Sequence, residues 1–354
     1  MISSDQMCRV PAWFSNRGPE ADVVMSTRIR LARNLAAYPF PGRASLSQRK
    51  DVFEAVAEAC RELPLCRGFT VTNCAPLRRV SQEFLVEERA VSGELIQAEG
   101  DRGLVGDEER RLGVLINEED HVRLQALDSG FCAPRLYAAL DELDTQLGGR
   151  VRYAYDRRQG FLTSCPTNAG TGLRVSYLMH LPGLALTRQV DQVLQSASQM
   201  SMAARGFFGE HSEIVGTLFQ VSNQATMGAA EAEFLGSTER FVQQAITLER
   251  EARQRVLREA RTELCDKVYR AFGILRHART LSLAEFLNLC SALRLGVETE
   301  LLRGLSALDL NRLTLMVMPA HLQTLYDRSM NDDEAAVMRA ETVRSLLRQK
   351  VLDA

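Results

Sequence analysis

The sequence predicts an α+β fold in two domains, on three observations. Strand-like alternation and helical periodicity interleave up to about Ser222, whereas beyond about Ala230 only helical spacing survives. At 354 residues the chain is too long for one comfortable core. Its 45% hydrophobic and 25% charged residues are those of an ordinary globular protein. We therefore expect one domain over residues 1–257 and a helical one over 258–354, with the break near Arg258–Ala278.

The first expected strand lies within Asp22–Asn34. Met25, Thr27, Ile29 and Leu31 alternate on one face, which places Arg28 and Arg30 together on the other. Like charges at i and i+2 repel unless an anion lies between them, so the pair points to phosphate, with splaying into solvent as the alternative. Ser45-x-x-Gln48 is a capping-box pattern, and Val52, Phe53, Val56, Cys60 and Leu63 follow at helical spacing until Pro64. Arg78 to Glu109 is charged, weakly periodic sequence. A strand, Gly113–Ile116, then delivers Asn117-Glu-Glu-Asp-His-Val-Arg123. Three consecutive carboxylates after an apolar strand form either a solvated turn or a pair for base or metal work beside a further phosphate clamp.

Leu136, Leu140, Leu143 and Leu147 mark a helix after Gly130, and Val151–Tyr155 reads as a strand. Gly160–His180, GFLTSCPTNAGTGLRVSYLMH, is the stretch around which the chain is organised. Phe161–Thr163 and Val175–Met179 suit strands, and the polar run between them suits neither strand nor helix. Gly170 and Gly172 would let backbone amides approach an anion, and Arg174 could clamp it. Cys165 stands at the lip, where Thr167 could hydrogen-bond it and lower its pKa. A polar hairpin holding one free cysteine is the plainer alternative. Farther on, Ser282-x-x-Glu285 caps a helix that Gly296 should terminate.

The net charge of −2 argues against general binding to nucleic acid or anionic membranes. No apolar run is long enough for a membrane span and no signal-peptide pattern opens the chain, so a cytoplasmic location is expected. Eight scattered cysteines without a CxxC pair read as reduced thiols, and zinc is not expected.

Four segments, STRIRLARN, NEEDHVR, TSCPTNAGTGLR and GEHSE, closely resemble the catalytic domain of the guanidino-phosphotransferase (phosphagen kinase) family, in that family's order. Few residues precede the first motif, whereas the kinases of creatine or free arginine carry a helical domain there. Arg205-Gly-Phe-Phe-Gly-Glu, Val221-Ser-Asn-Gln224, Val268–Leu275 and Met318-Pro-Ala-His-Leu-Gln instead resemble the bacterial protein arginine kinase branch, of the McsB type. In the loop after Met200, Phe208 stands where the free-amino-acid kinases have a second arginine.

The resemblance implies a curved, mostly antiparallel sheet flanked by helices and a helical domain for dimerisation or regulation. It implies transfer of the ATP γ-phosphoryl group to arginine side chains of proteins, with ATP and Mg²⁺ required and the metal held mainly by phosphates and water. By motif, Arg28, Arg30, Arg123, Arg174 and Arg205 hold the phosphates. Glu119 orients the guanidinium and takes its proton, Glu118 acts near the magnesium, Cys165 contacts the guanidinium, and Glu213 lies on the acceptor side. Implied partners are arginine-bearing proteins, a zinc-containing activator, a heat-shock repressor and a Clp-type unfoldase in a stress response. A small-molecule guanidino kinase and an inactive adaptor are the rival readings. Two departures stand out. Ala335-Ala336 replace an Arg-Asp pair that the family places before Arg339-Ala340 for phosphoarginine regulation, so weak or absent feedback is expected. His211 replaces the commoner glycine of the acceptor loop.

Overall fold

A computed structural model describes residues 10–206 and 215–348. In chain order the elements are β1 (Val24–Arg33), α1 (Leu46–Glu62), β2 (Thr70–Asn73), α2 (Arg79–Glu87), α3 (Gly93–Gln97), β3 (Gly103–Gly106), β4 (Leu112–Ile116) and β5 (Val122–Ser129). They continue with α4 (Ala133–Gly148), β6 (Tyr155–Asp156), β7 (Gly160–Phe161), β8 (Leu173–His180), α5 (Pro182–Leu186), α6 (Val190–Gln199), β9 (Met202–Gly206) and β10 (Leu218–Asn223). Helices α7 (Glu231–Glu259), α8 (Arg261–His277), α9 (Leu283–Glu298), α10 (Ala307–Met316), α11 (Pro319–Leu325) and α12 (Asp332–Arg348) complete the described chain.

Eight strands form one sheet in the order β2-β3-β4-β5-β1-β8-β10-β9, with every neighbouring pair antiparallel. The α+β class with an antiparallel sheet flanked by helices is therefore observed. β1 lies at its centre, and its alternation does what the sequence requires. Ile29 and Leu31 enter a core shared with Leu124, Leu173 and Val175 of the adjacent strands. Helices α1, α4 and α7 close that face through Val56, Leu140 and Ile246, among others. The opposite face carries the arginines and is covered only in part, by Leu85 and Leu95 near Leu115 and by Leu315 and Met318 near Leu127 and Leu178.

Helix α1 has the anticipated capping box, with Gln48 N donating to Ser45 Oγ and Ser45 N donating to Gln48 Oε1. Other expectations need correction. The weakly periodic Arg78–Glu109 stretch holds α2, α3 and β3, because short elements take their pattern from tertiary neighbours rather than from their own period. The strands expected at Val151–Tyr155 and Phe161–Thr163 shrink to the two-residue pairs of β6 and β7. Gly296 does not end α9, which runs to Glu298. A Cβ at Gly296 would stand 2.5 Å from Val268 Cγ1, so this glycine serves the close crossing of α8 and α9.

The helices beyond α7 enclose a second core that includes Leu264, Val268, Phe286, Leu293, Leu313 and Val343. Polar bonds tie them to the sheet half. Asn311 Nδ2 donates to Phe14 O at 2.6 Å, and Glu87 accepts from Ala320 N at 2.7 Å and His321 N at 2.9 Å. Buried Arg339 donates to the carbonyls of Val317 (3.0 Å) and Leu281 (2.9 Å), while Ala336 O accepts from Leu281 N. Among the described residues no helix is long and apolar enough to cross a membrane.

Candidate active site

Strand register gathers the predicted arginines. Arg30 lies directly opposite Arg174, Arg28 opposite Ser176, Ala32 opposite Arg123, and Arg205 opposite Gln220. Directly paired residues share a sheet face, and Gln220 pairs with Leu178 while Arg28 pairs with Ser176, so all five arginines stand on one side. That side is the wall of a cleft of about 1480 Å³, which Glu118, Glu119, Cys165 and Asn168 also line.

Burial depresses the Arg28 guanidinium to about 9, with Arg89 and Arg123 adding repulsion. Burial likewise pushes Arg30 well below its ordinary range, reinforced by Arg28, Arg123 and Arg174. The Nε atoms of Arg28 and Arg30 are buried without a hydrogen-bond acceptor among the described residues. Buried donors left this way cost free energy unless a ligand supplies the acceptor, which is what an anion does. The cleft is therefore built for negative charge.

At its other end the turn after β4 presents two carboxylates in unlike settings. Glu118 is buried, accepts from Ser92 Oγ, and lies 2.5 Å from Arg123 Nη1. Glu119 is 38% exposed in its side chain, 3.0 Å from Arg123 Nη2, and takes a second bond of 3.0 Å from Asn168 Nδ2. Asn168 thus joins the base candidate to the loop that carries Cys165. Asp120 is buried and structural: its Oδ1 accepts from Asn34 Nδ2 and from Ser164 N. The solvated-turn alternative fails for Glu118 and Asp120.

The Ser164–Gly172 loop is pinned from both sides. Cys165 Sγ lies 2.9 Å from Thr167 Oγ1, as its spacing anticipated. Thr226 Oγ1 reaches the carbonyls of Thr167 (2.9 Å) and Ala169 (2.7 Å), and Thr226 O accepts from Thr171 N. The two glycines also meet a packing demand. Both have positive φ, and a Cβ would stand 2.5 Å from Thr226 O at Gly170 and 2.6 Å from Ala32 O at Gly172. They let backbone pack on backbone.

His121 anchors the turn as a neutral ring: Leu35 N donates to Nδ1 at 3.1 Å, and Nε2 lies 3.0 Å from Pro39 O. Burial lowers its pKa to about 4. An unfolded chain protonates this imidazole near 6.5, so between about 6.5 and 4 the unfolded state binds the extra proton and stability falls as pH falls. The expected loss is about 3 kcal/mol across that window. Urea midpoints between pH 7 and 4.5 measure it. The His121→Gln variant should flatten the slope by close to one proton, and an unchanged slope would assign the loss to other groups.

Sequence reasoning missed Ser92, and it gave no role to Asn168 or Arg89, which all border the cleft. Ser92 caps α3, a helix too short to leave a periodic signal. Phe208, His211 and Glu213 lie outside the described residues.

A file of arginines leading to a carboxylate and a thiol suits phosphoryl transfer to a cationic acceptor, and the comparisons point to the same class. Residues 51–252 match the ATP:guanido phosphotransferase C-terminal catalytic domain, and 261–352 match the protein-arginine kinase McsB C-terminal domain. A lombricine kinase crystal structure is similar in fold, with a TM-score of 0.59, 21% identity, and 68% of this chain and 71% of that one covered. The duplicated taurocyamine kinase from Schistosoma mansoni gives the same TM-score of 0.59 at 22% identity, over 75% of this chain and 38% of that one. The protein-arginine kinase of Moorella thermoacetica is 39% identical over 95% of this chain and 97% of its own length. That of Halalkalibacterium halodurans is 36% identical over 96% of each. The chain belongs to the protein-arginine kinase family, a branch of the ATP:guanido phosphotransferases.

Proposed function

We propose that this chain transfers the γ-phosphoryl group of ATP to the guanidinium of arginine side chains in proteins. The observation that carries the reading is the single sheet face on which Arg28, Arg30 and Arg174 lead to Arg123 and the half-exposed Glu119. A guanidinium is a poor nucleophile because it is protonated, so a carboxylate must hold it and accept a proton as the P–N bond forms and the bond to ADP breaks. Glu119 takes that role, Cys165 meets the guanidinium from the facing loop, and Arg28, Arg30, Arg123, Arg174 and Arg205 neutralise phosphate charge in place. Glu213 belongs to the acceptor side.

Among the described residues no three His, Cys, Asp or Glu side chains gather into a metal cage. An Mg²⁺ ion, which keeps several waters and binds substrate phosphates, would need no such cage, and Glu118 and Glu119 on the cleft wall are the carboxylates that would act near it. Bound with the nucleotide, the ion would neutralise phosphate charge.

Residues 1–257 form the catalytic domain in this reading, and 258–354 form the helical domain for dimerisation or regulation. The enzyme is cytoplasmic and marks proteins for Clp-type proteolysis in a stress response, with a zinc-containing activator and a heat-shock repressor as partners. The test is mass spectrometry of an arginine-rich protein incubated with enzyme and Mg·ATP, in buffers that spare the acid-labile P–N bond. Phosphoarginine in the protein with little turnover of free arginine is expected. The reverse preference would make this a small-molecule kinase.

A further inference from the structure

We infer that the helical C-terminal segment completes the nucleotide site, with Leu283, Leu315 and Met318 covering the base and Glu87 acting as the residue that positions Met318. The inference rests on the phosphate reading above and extends it to the far end of the same cleft.

Direction along β1 places the base. Counting back from the carboxylates, Ala32 faces Arg123, Arg30 faces Arg174, Arg28 faces Ser176 and Leu127, and Ser26 faces Leu178. Same-face steps are about 6.7 Å each, so Ala32 to Ser26 covers about 20 Å. Over that distance the wall changes from guanidinium to apolar. Leu127 and Leu178 belong to one cluster with Trp13, Met25, Leu315 and Met318. A triphosphate whose terminal group lies by Arg123 and Glu119 runs its chain past Arg30, Arg174 and Arg28. Its ribose and base then arrive where Leu283, Leu315, Met318 and Pro319 line the cleft. A flat heteroaromatic ring needs apolar cover of this kind with a few polar groups at its edge. Thr314 and Gln220 border the same end.

Met318 is held from both sides. Arg339 Nε binds Val317 O at 3.0 Å, just before it. Just after it, Glu87 accepts from Ala320 N, His321 N and, at 2.6 Å, pairs with His321 Nδ1. Phe84 stacks on the His321 ring at 4.2 Å between centroids. Helix α2 therefore grips the start of α11 and sets the apolar wall against the arginine face.

The experiment titrates the full chain with Mg·ATP and, separately, with inorganic tripolyphosphate, which has the phosphates without the base. In Leu283→Asn and in the near-isosteric Met318→Gln, ATP affinity should fall about tenfold and tripolyphosphate affinity stay within about twofold. Leu283 is only partly buried, so its variant keeps the test available if Met318→Gln unfolds. In Glu87→Gln the KM for ATP should rise with kcat and tripolyphosphate affinity unchanged. Equal losses for both ligands, or no loss for ATP, would overturn the base site while leaving the phosphate reading in place. Failure of the unaltered protein to bind tripolyphosphate would remove both.

Discussion

Glu119→Gln is expected to lower phosphoryl transfer by about 10²- to 10⁴-fold and to leave ATP affinity nearly unchanged. The side chain keeps its shape, and the amide oxygen can still accept from Arg123 Nη2 and Asn168 Nδ2, which both reach the same carboxylate oxygen at 3.0 Å. What disappears is the negative charge that attracts an incoming guanidinium and the basicity that removes its proton. Exposure separates this carboxylate from its neighbour. Glu119 can meet an acceptor, whereas the Glu118 side chain is 0% exposed and spent on Arg123 and Ser92. Glu118→Gln should therefore cost stability as well as activity, because it leaves the largely covered Arg123 partly uncompensated. Single-turnover assays on the two variants, read beside their melting temperatures, separate base from scaffold. Transfer at an undiminished rate in Glu119→Gln would send the proton elsewhere.

The parts of this site readable in the sequence are those governed by local periodicity. Two arginines spaced i and i+2 must share a face of a strand, and the apolar Ile29 and Leu31 fix which face is covered. The carboxylate turn was legible as a place, but its division into one buried and one open side chain was not. That division comes from Ser92, 26 positions away in sequence, and from Asn168, 49 positions away. The stretch from Arg78 to Glu109 hid its structure for a related reason. Its elements are four to nine residues long and take their partners from the sheet and from α11, as Glu87 and Phe84 show. Gly170 and Gly172 read as anion-approaching and Gly296 as a helix end, and only the packed chain shows Thr226, Ala32 and Val268 as the neighbours that leave no room for a Cβ. The role of the helical segment at the cleft is likewise invisible locally, since Met318 meets Leu178 only through the fold.

Arg30→Met should separate function from stability in opposite directions. Arg30 stands opposite Arg174 and next but one to Arg28 in the strand, its Nε lacks an acceptor among the described residues, and burial and three arginines disfavour its charge. A methionine of similar length removes that repulsion and that unmet donor from a partly covered surface, so the ligand-free protein should melt at the same temperature or higher. Phosphoryl transfer should fall by about 10²- to 10³-fold, the usual cost of losing one fixed donor to a developing anion. Arg30→Lys should recover only part of it, because an ammonium keeps the charge and loses the planar fork. Thermal melts with and without Mg·ATP, alongside kcat/KM, read both quantities from one preparation. If Arg30→Met lowers the ligand-free melting temperature sharply, the guanidinium is holding the sheet together and the anion argument for this face loses its main support. If stability holds while transfer collapses, the repulsion among these side chains is tolerated for the sake of the phosphate they surround.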